Sequence, residues 1–326
     1  MPRMPTLAAV VAARARLRGI ALHTPLERSA ELAEAVGAAE VRLKREELQP
    51  TGAFKTRGAH NKVAIVAEDR PEAALVTASS GNHGIAVATA ATRHDMRLTV
   101  LVGRSVSPAK LERLRALETA RITVELTGDD SDAAEAEARR RDDGGRAIYV
   151  PPYNDPDVIA GQATVGVEII EDWPEVDTIV VPIGGGGLIA GIGLWAKAMK
   201  PGLRLIGVQP SASPPMYAYL ETGSTDPMPI APTIADGVAG NIEKTSITWK
   251  LCRELVDEVV LADEEDIRDA MRWAIEVPHI LLEGSAALGI AALRAGHIDA
   301  TGRRIAVVTT GRNVALDTIR DVLAPR

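Results

Sequence analysis

Two serines, a glycine, an asparagine and a histidine follow one another in the stretch SSGNHG, residues 79–84. An apolar run over residues 73–78 ends where they begin, and an Ala-rich helical pattern follows. Hydroxyl, amide and backbone N–H donors gathered between a strand end and a helix start suit a small anion, because a helix N-terminus carries unpaired N–H groups and partial positive charge. A second such place is TIVVPIGGGGLIAGIG, where a strand runs into Gly184, Gly185, Gly186 and Gly187 and then into a helix. Residues without Cβ atoms let several N–H groups converge on one anion, and a phosphate is the natural guest. A third is RIAVVTTGRNVAL, where a strand ends in Thr309, Thr310 and Gly311 before a helical pattern. Thr310 would either stand at the carboxyl edge of the sheet, where ligands gather, or serve only as a helix cap. Lys55 lies in LQPTGAFKTRGAHNKV, beside Phe54, the single phenylalanine of the chain. Most lysines are solvated. One drawn into an apolar, glycine-bounded segment has its ammonium destabilised, and the free amine is then open to Schiff-base chemistry.

Placing these four stretches together requires strands that end at a common edge. Short β-branched runs predict strands over residues 73–78, 98–102, 122–126, 147–150, 178–183, 203–208, 259–261 and 305–309. Between them, SPAKLERLRAL, DDSDAAEAEARRR, DPDVIAGQATVGVEIIEDW and DEEDIRDAMRWAIEV read as helices, several opening on Ser, Asp or Pro. Such alternation predicts an α/β fold of parallel sheets flanked by helices. Residues 73–150 form a strand–helix unit able to stand as its own lobe, with the rest of the chain as a larger lobe and the active site between them.

Length and composition narrow the classes. A chain of 326 residues suits two lobes or one large α/β domain. A net charge of −7 without a basic block argues against a nucleic-acid surface. Cys252 is the only cysteine, so no intrachain disulfide forms, a reducing compartment fits, and its helical context WKLCREL makes it a packed or surface thiol. Residues 1–26 contain arginines and no acid, as a transit peptide would, but a first helix starting at Thr6 with Leu7, Val10, Val11 and Leu17 inward explains them better. Residues 178–196 lack charge, yet Pro182 and four glycines break them, so a strand, loop and helix are expected there rather than a membrane span. A soluble cytoplasmic protein with no membrane partner follows. The glycine loop also satisfies a relaxed G-x-G-x-x-A through Gly185, Gly187 and Ala190. A dinucleotide site wants an acid at the end of the next strand, and Gln209 stands there, which counts against an NAD-dependent oxidoreductase.

Taken in order, GAFKTRGA, SSGNHG, DPDVIAGQAT, GGGGL, EGSAALGIAA and TTGRN resemble the fold-type-II family of pyridoxal-phosphate enzymes, with serine/threonine dehydratases and serine racemases most alike. The likeness spans nearly the whole chain. It implies a two-lobed, tryptophan synthase β-like fold, with residues 1–50 and 151–326 as the large cofactor-binding domain and 51–150 as the small one. It implies pyridoxal 5′-phosphate as cofactor, linked to Lys55 as an imine beside Phe54, with Asn82 on its 3′ oxygen. Gly184, Gly185, Gly186, Gly187 and Leu188 would hold the phosphate, and Thr310 would face the pyridine nitrogen. Ser79, Ser80, Gly81, Asn82 and His83 would form the loop that binds the substrate carboxylate, Ser80 lying opposite the lysine and His83 shaping the loop rather than acting as a base.

The implied reaction is α,β-elimination of a β-hydroxy amino acid, with Lys55 and Ser80 as catalytic residues, giving a 2-keto acid and ammonia. A homodimer is implied too. Relatives with a divalent-metal site carry a glutamate and a second acid where Gln209 and Pro215 stand here, and an amide and a proline cannot replace two carboxylates around a hard cation, so no metal is expected there. That weakens a racemase reading. The chain ends without the regulatory domain of biosynthetic threonine deaminases, which favours a degradative dehydratase. Arg312 in TTGRN hints at a specialised substrate, such as 3-hydroxyaspartate, phenylserine or the substrate of the hydroxyectoine-utilisation enzyme, unless it only faces solvent. A ligand-binding protein that kept the fold without catalysis is the remaining alternative.

Overall fold

The computed structural model describes residues 3–324; the four outermost residues of the expected domain ranges lie outside the described residues. Ten strands occur among the described residues: β1 (Leu26–Arg28), β2 (Glu40–Arg45), β3 (Ala74–Ala78), β4 (Arg97–Val102), β5 (Ile122–Leu126), β6 (Ile148–Tyr149), β7 (Thr178–Pro182), β8 (Arg204–Pro210), β9 (Glu258–Ala262) and β10 (Arg304–Thr309). They form a six-stranded sheet in the order β1-β2-β10-β7-β8-β9 and a four-stranded sheet in the order β5-β4-β3-β6. All pairings are parallel except that of β1 with β2. Parallel strands need crossovers, and helices supply them on both faces.

The central strands of the large sheet are apolar throughout because both faces are covered. Val180 and Val307 pack towards the helix Gly284–Arg294, with Leu288 and Ala291. Ile179, Val181, Ala306 and Val308 point the other way, to Ile189 and Ile192 of the helix Gly187–Met199. In the small sheet Leu98 and Val100 meet Val87 and Ala90 of the helix Asn82–Arg93. Val76 and Leu101 face Ala134 and Ala138 of the helix Ser131–Asp143. The helix Lys55–Asp69 packs between the helix Asn82–Arg93 and the helix Pro156–Asp172. Glycines make the second contact possible: a Cβ at Gly161 would lie 2.7 Å from the Gly58 Cα.

That helix also carries a buried ion network. The Arg57 guanidinium donates to Glu46 at 2.7 and 2.8 Å, to Glu168 at 2.6 and 2.8 Å, and to the Leu22 carbonyl and the Thr164 hydroxyl at 3.1 Å. Lys44, fully buried on β2, adds its ammonium to Glu168 and to the Thr24 carbonyl, both at 2.6 Å. Burial alone would favour neutral Glu168, but Arg57 and Lys44 overcome it and hold the carboxyl below its usual range.

Three expectations need correction. The first helix runs Leu7–Arg16 with Thr6 as its N-cap, but Leu7 and Val11 are 36% and 57% exposed. Val10 and Leu17 are buried as expected, Val10 with Ala13 against Ala160, Ala163 and Val167, so the inward stripe is rotated away from Leu7 and Val11. Strands β1 and β2 were absent from the expected set: β1 is three residues long with Glu27 and Arg28 exposed, and β2 is rich in charge, although its Lys44 is fully buried against Glu168. No helix directly follows Thr310. Gly311 pairs with Ala53 in an isolated bridge, and the next helix begins only at Leu316, so Thr310 is not a helix cap. Residues 178–196 form β7, a loop and part of a helix as expected, and among the described residues no helix is long and apolar enough to cross a membrane.

Candidate active site

Lys55 is the first residue of its helix, and the segment before it is stitched to the end of β10. The Phe54 N–H donates to the Thr310 carbonyl at 3.0 Å and the Arg312 N–H to the Gly52 carbonyl at 3.0 Å. Gly52 has φ +77°, and a Cβ there would sit 2.6 Å from the Asn313 Oδ1, so the stitch requires glycine. On the other side Arg57 anchors the helix in the ion network. The lysine is thus fixed at both ends while its amine reaches inward. Nζ donates to the Pro152 carbonyl at 2.7 Å and lies 5.0 Å from the Phe54 ring centroid. Burial lowers its pKa to about 8, against an opposing pull from Glu283.

Pro152 leads to Tyr153, and Tyr153 is the floor of the glycine loop. A Cβ at Gly185 would clash with the Tyr153 ring, and one at Gly187 would lie 3.0 Å from the Tyr153 Cβ. Gly186 adopts φ +83° at the N-cap of the helix Gly187–Met199, and Leu188 is buried in its first turn. Tyr153 is itself held, its hydroxyl accepting the Glu243 N–H at 3.1 Å. Beneath the loop lies Cys252, whose thiol burial pushes up to about 12. It is a packing residue, not a nucleophile.

The third element is the loop between β3 and the helix Asn82–Arg93. Its backbone is compact: the Gly81 N–H donates to the Ser79 hydroxyl at 3.2 Å, and Gly84 leaves no room for a Cβ above the Ser79 carbonyl. His83 is buried and bonds the Val150 carbonyl through Nε2 at 2.9 Å. A carbonyl only accepts, so that nitrogen carries the proton. Burial and the nearby Lys55 charge hold the imidazole neutral, at about 3. That bond ties the start of the helix Asn82–Arg93 to the residue after β6. Ser80 is half-buried.

Asn82 donates through Nδ2 to Glu283 Oε1 at 2.8 Å and accepts at Oδ1 from Asn313 Nδ2 at 2.5 Å. Glu283, 7% exposed, also accepts the Asn313 N–H at 3.1 Å. Of the two threonines at the end of β10, Thr309, its last residue, is engaged, donating towards Glu47 at 2.6 Å and the Lys44 carbonyl at 3.0 Å. Thr310, the first residue past the strand, is buried, with its carbonyl accepting from the Phe54 N–H.

The structure therefore links Phe54, Lys55 and Thr310 through one backbone junction, and Lys55 to Gly184–Leu188 through Pro152 and Tyr153. Asn82 joins that junction through Asn313. Three participants were assigned no role from the sequence. Glu283 opens EGSAALGIAA and Asn313 closes TTGRN, so both lay within distinctive stretches. Tyr153, in PPYNDP, left no signal. Gln209 is buried with its amide satisfied, donating to the Ile183 carbonyl at 3.3 Å and accepting the Tyr217 N–H at 2.9 Å, while Pro215 starts a helix. Arg312 is exposed.

Known proteins resemble this chain in sequence and fold. The sequence profile described as pyridoxal-phosphate dependent enzyme matches residues 17–311. An L-threonine ammonia-lyase of Thermotoga maritima is 38% identical over 321 residues, covering 98% of this chain and 78% of that protein. A catabolic L-threonine dehydratase of Escherichia coli K12 is 34% identical over 319 residues, covering 96% and 94%. The structure of maize serine racemase superposes with a TM-score of 0.90 at 30% identity, covering 98% and 97%. Fold, lysine, glycine cradle and similarity over nearly the full length agree: the chain belongs to the family of pyridoxal-phosphate-dependent enzymes.

Proposed function

We propose that the protein is an ammonia-lyase that removes the elements of water from a β-hydroxy amino acid of the L-threonine or L-serine type, giving a 2-keto acid and ammonia. The single observation that carries this reading is the lysine amine, lowered to about 8, fixed between the β10 end and the glycine loop. The names of the Thermotoga and Escherichia relatives support the substrate class.

The residues fit pyridoxal 5′-phosphate. Gly184, Gly185 and Gly187 form a cradle that a Cβ would fill, at a helix N-terminus suited to a phosphate. Gly184–Leu188 would hold its phosphate, Lys55 its aldehyde carbon, Asn82 its 3′ oxygen and Thr310 its pyridine nitrogen. When bound, the cofactor supplies a sink for the electrons left at Cα. The Lys55 amine would take the Cα proton. Near neutral pH an amine with a pKa of about 8 spends an appreciable fraction of its time free, as a base requires. Thr310 would be a neutral partner to the ring nitrogen and would not hold a proton there as a carboxylate would. The backbone N–H groups of Ser79–His83 and the Ser80 hydroxyl bind the substrate carboxylate. Loss of the Cα proton and the β-hydroxyl leaves an enamine, which on release takes up water and loses ammonia, so the amino acid is converted without net oxidation or reduction. Ser80, which the family resemblance sets opposite Lys55, would exchange a proton on the second face, and the likeness to maize serine racemase makes accompanying racemisation the second reading. Residues 1–50 and 151–326 are assigned to the large lobe and 51–150 to the small one, in a cytoplasmic homodimer.

Keto-acid and ammonia release should be measured over L-threonine, L-serine, 3-hydroxyaspartate and phenylserine, with chiral analysis of unreacted serine. Turnover of threonine or serine above the other two is expected. A protein that takes up the cofactor yet deaminates none of the four would overturn the proposal.

Gly185→Ala probes the cradle directly. Its added Cβ overlaps the Tyr153 ring, so loop or ring must move. Cofactor affinity, measured by titrating the apoprotein, is expected to fall by roughly tenfold or more, the equivalent of one lost charged hydrogen bond.

A further inference from the structure

Asn82 is an amide, with a donor end and an acceptor end, and a rotation of half a turn exchanges them. The end that meets the cofactor oxygen decides whether the residue attracts or repels it. In this chain the choice is fixed from outside. Asn313 is itself anchored at both ends: its Oδ1 accepts from Arg113 at 2.6 Å, and its Nδ2 donates to the Thr51 carbonyl at 2.9 Å. Neither a guanidinium nor a carbonyl can reverse its role, so the second Asn313 Nδ2 hydrogen must go to Asn82 Oδ1. Opposite, Glu283 Oε1 takes one hydrogen of Asn82 Nδ2. A flipped Asn82 would set oxygen against carboxylate and NH2 against NH2. The second hydrogen on Asn82 Nδ2 is what remains.

We propose that Glu283 and Asn313 are positioning residues that lock the Asn82 amide so that it presents an N–H to the cofactor's 3′ oxygen. The proposal rests on the function proposed above. Glu283 is placed to do this because its own N–H donates to the Gly311 carbonyl at 3.1 Å, and because Gly311 makes room for its carboxylate: a Cβ there would stand 2.6 Å from Oε1.

The lock works only while Glu283 accepts from both neighbours, that is, while it is ionised. Burial and Asp236, from the segment 223–246, raise its pKa to about 7, against Asn82, the Asn313 N–H and Lys110. Lys55 also faces it, and Arg113 reaches it through Asn313. His83, on the helix that carries Asn82, is neutral. Below about 7 a proton occupies one of the two oxygens and turns an acceptor into a donor facing an N–H. Cofactor binding therefore strengthens as pH rises through this range.

The test titrates apoprotein with pyridoxal 5′-phosphate between pH 6 and 7.5, reading the dissociation constant and the near-visible absorption maximum, with melting temperature as a check on folding. Glu283→Gln puts an NH2 against either Asn82 Nδ2 or the Asn313 N–H; Asn313→Asp removes the donor to Asn82. Each is expected to weaken binding by roughly tenfold to a hundredfold and to shift the maximum. Wild-type affinity rises across the range, whereas that of Glu283→Gln stays flat. If Glu283→Gln does not fold, Asn313→Asp carries the same test. Folded variants with wild-type affinity, spectrum and pH profile overturn the inference alone. Wild-type protein that takes up no cofactor overturns the proposed function and this inference with it.

Discussion

Lys55→Ala is expected to abolish keto-acid formation and the near-visible absorption of the cofactor-loaded protein together. One amine is asked to do two things, to hold the cofactor covalently and to move the Cα proton, and alanine can do neither. Loss of a positioned base alone costs roughly 10²–10⁴ in rate, and loss of the covalent anchor adds to it. The variant should still fold. Lys55 contributes a single hydrogen bond, to the Pro152 carbonyl, while the junction that holds its helix runs through the backbone of Gly52, Phe54, Thr310 and Arg312. A melting temperature close to wild type therefore separates this change from unfolding. Lys55→Arg is the sharper control. It keeps the positive charge and most of the packing, but a guanidinium neither gives up its proton near neutral pH nor forms the imine. It should be as inactive as the alanine variant. Borohydride reduction of the wild type should fix the cofactor to this residue and to no other lysine. Continued deamination of threonine or serine by either variant would mean that another group is the base.

Much of the fold was legible because its central strands are buried on both faces. Val180 and Val307 on one side, and Ile179, Val181, Ala306 and Val308 on the other, leave no polar position to interrupt the apolar run. The loops after β3, β7 and β10 stood out for the complementary reason, since small and polar residues are needed where the strands stop and a ligand begins. Strand β2 was hidden by its charges. EVRLKR reads as solvated, yet Lys44 is fully buried and pairs with Glu168, more than a hundred residues away. No local pattern contains that partner. The Asn82 lock was only half visible. Glu283 and Asn313 lie in stretches already distinctive, but their bonds to Asn82 span 201 and 231 positions in the chain. Chain spacing cannot reveal which of two carboxylates or amides will meet. The helix expected after Thr310 failed for a similar reason: residues 311–313 are taken by partners in the segment 51–53, and a contact made there outweighs local helical preference.

The same non-local charges set up the second large effect, because Arg57 is the one cation that joins Glu46 to Glu168. Arg57→Met keeps the helix and most of the volume but leaves two buried carboxylates without their shared partner, with only Lys44 still on Glu168. Breaking a buried pair from one side costs about 3–5 kcal/mol, because a charge is left without compensation. A loss of that size should appear in urea unfolding of the apoprotein as a lower midpoint. The pH dependence identifies the cause. In the wild type Glu168 is held below its unfolded value, so its contribution is present above the unfolded pKa and is lost as pH falls through the acidic range. In the variant the burial of Glu168 is opposed by less charge, its carboxyl holds its proton more readily, and acid relieves it. The gap between the two proteins should therefore be widest near neutral pH and narrow as pH falls. Arg57 also stands two residues from Lys55, and the variant should load less cofactor at a given concentration even where it is folded. A loss below about 1 kcal/mol, or a gap that does not change with pH, would show that the network adds little to this fold and that the backbone junction at Thr310 holds the lysine unaided.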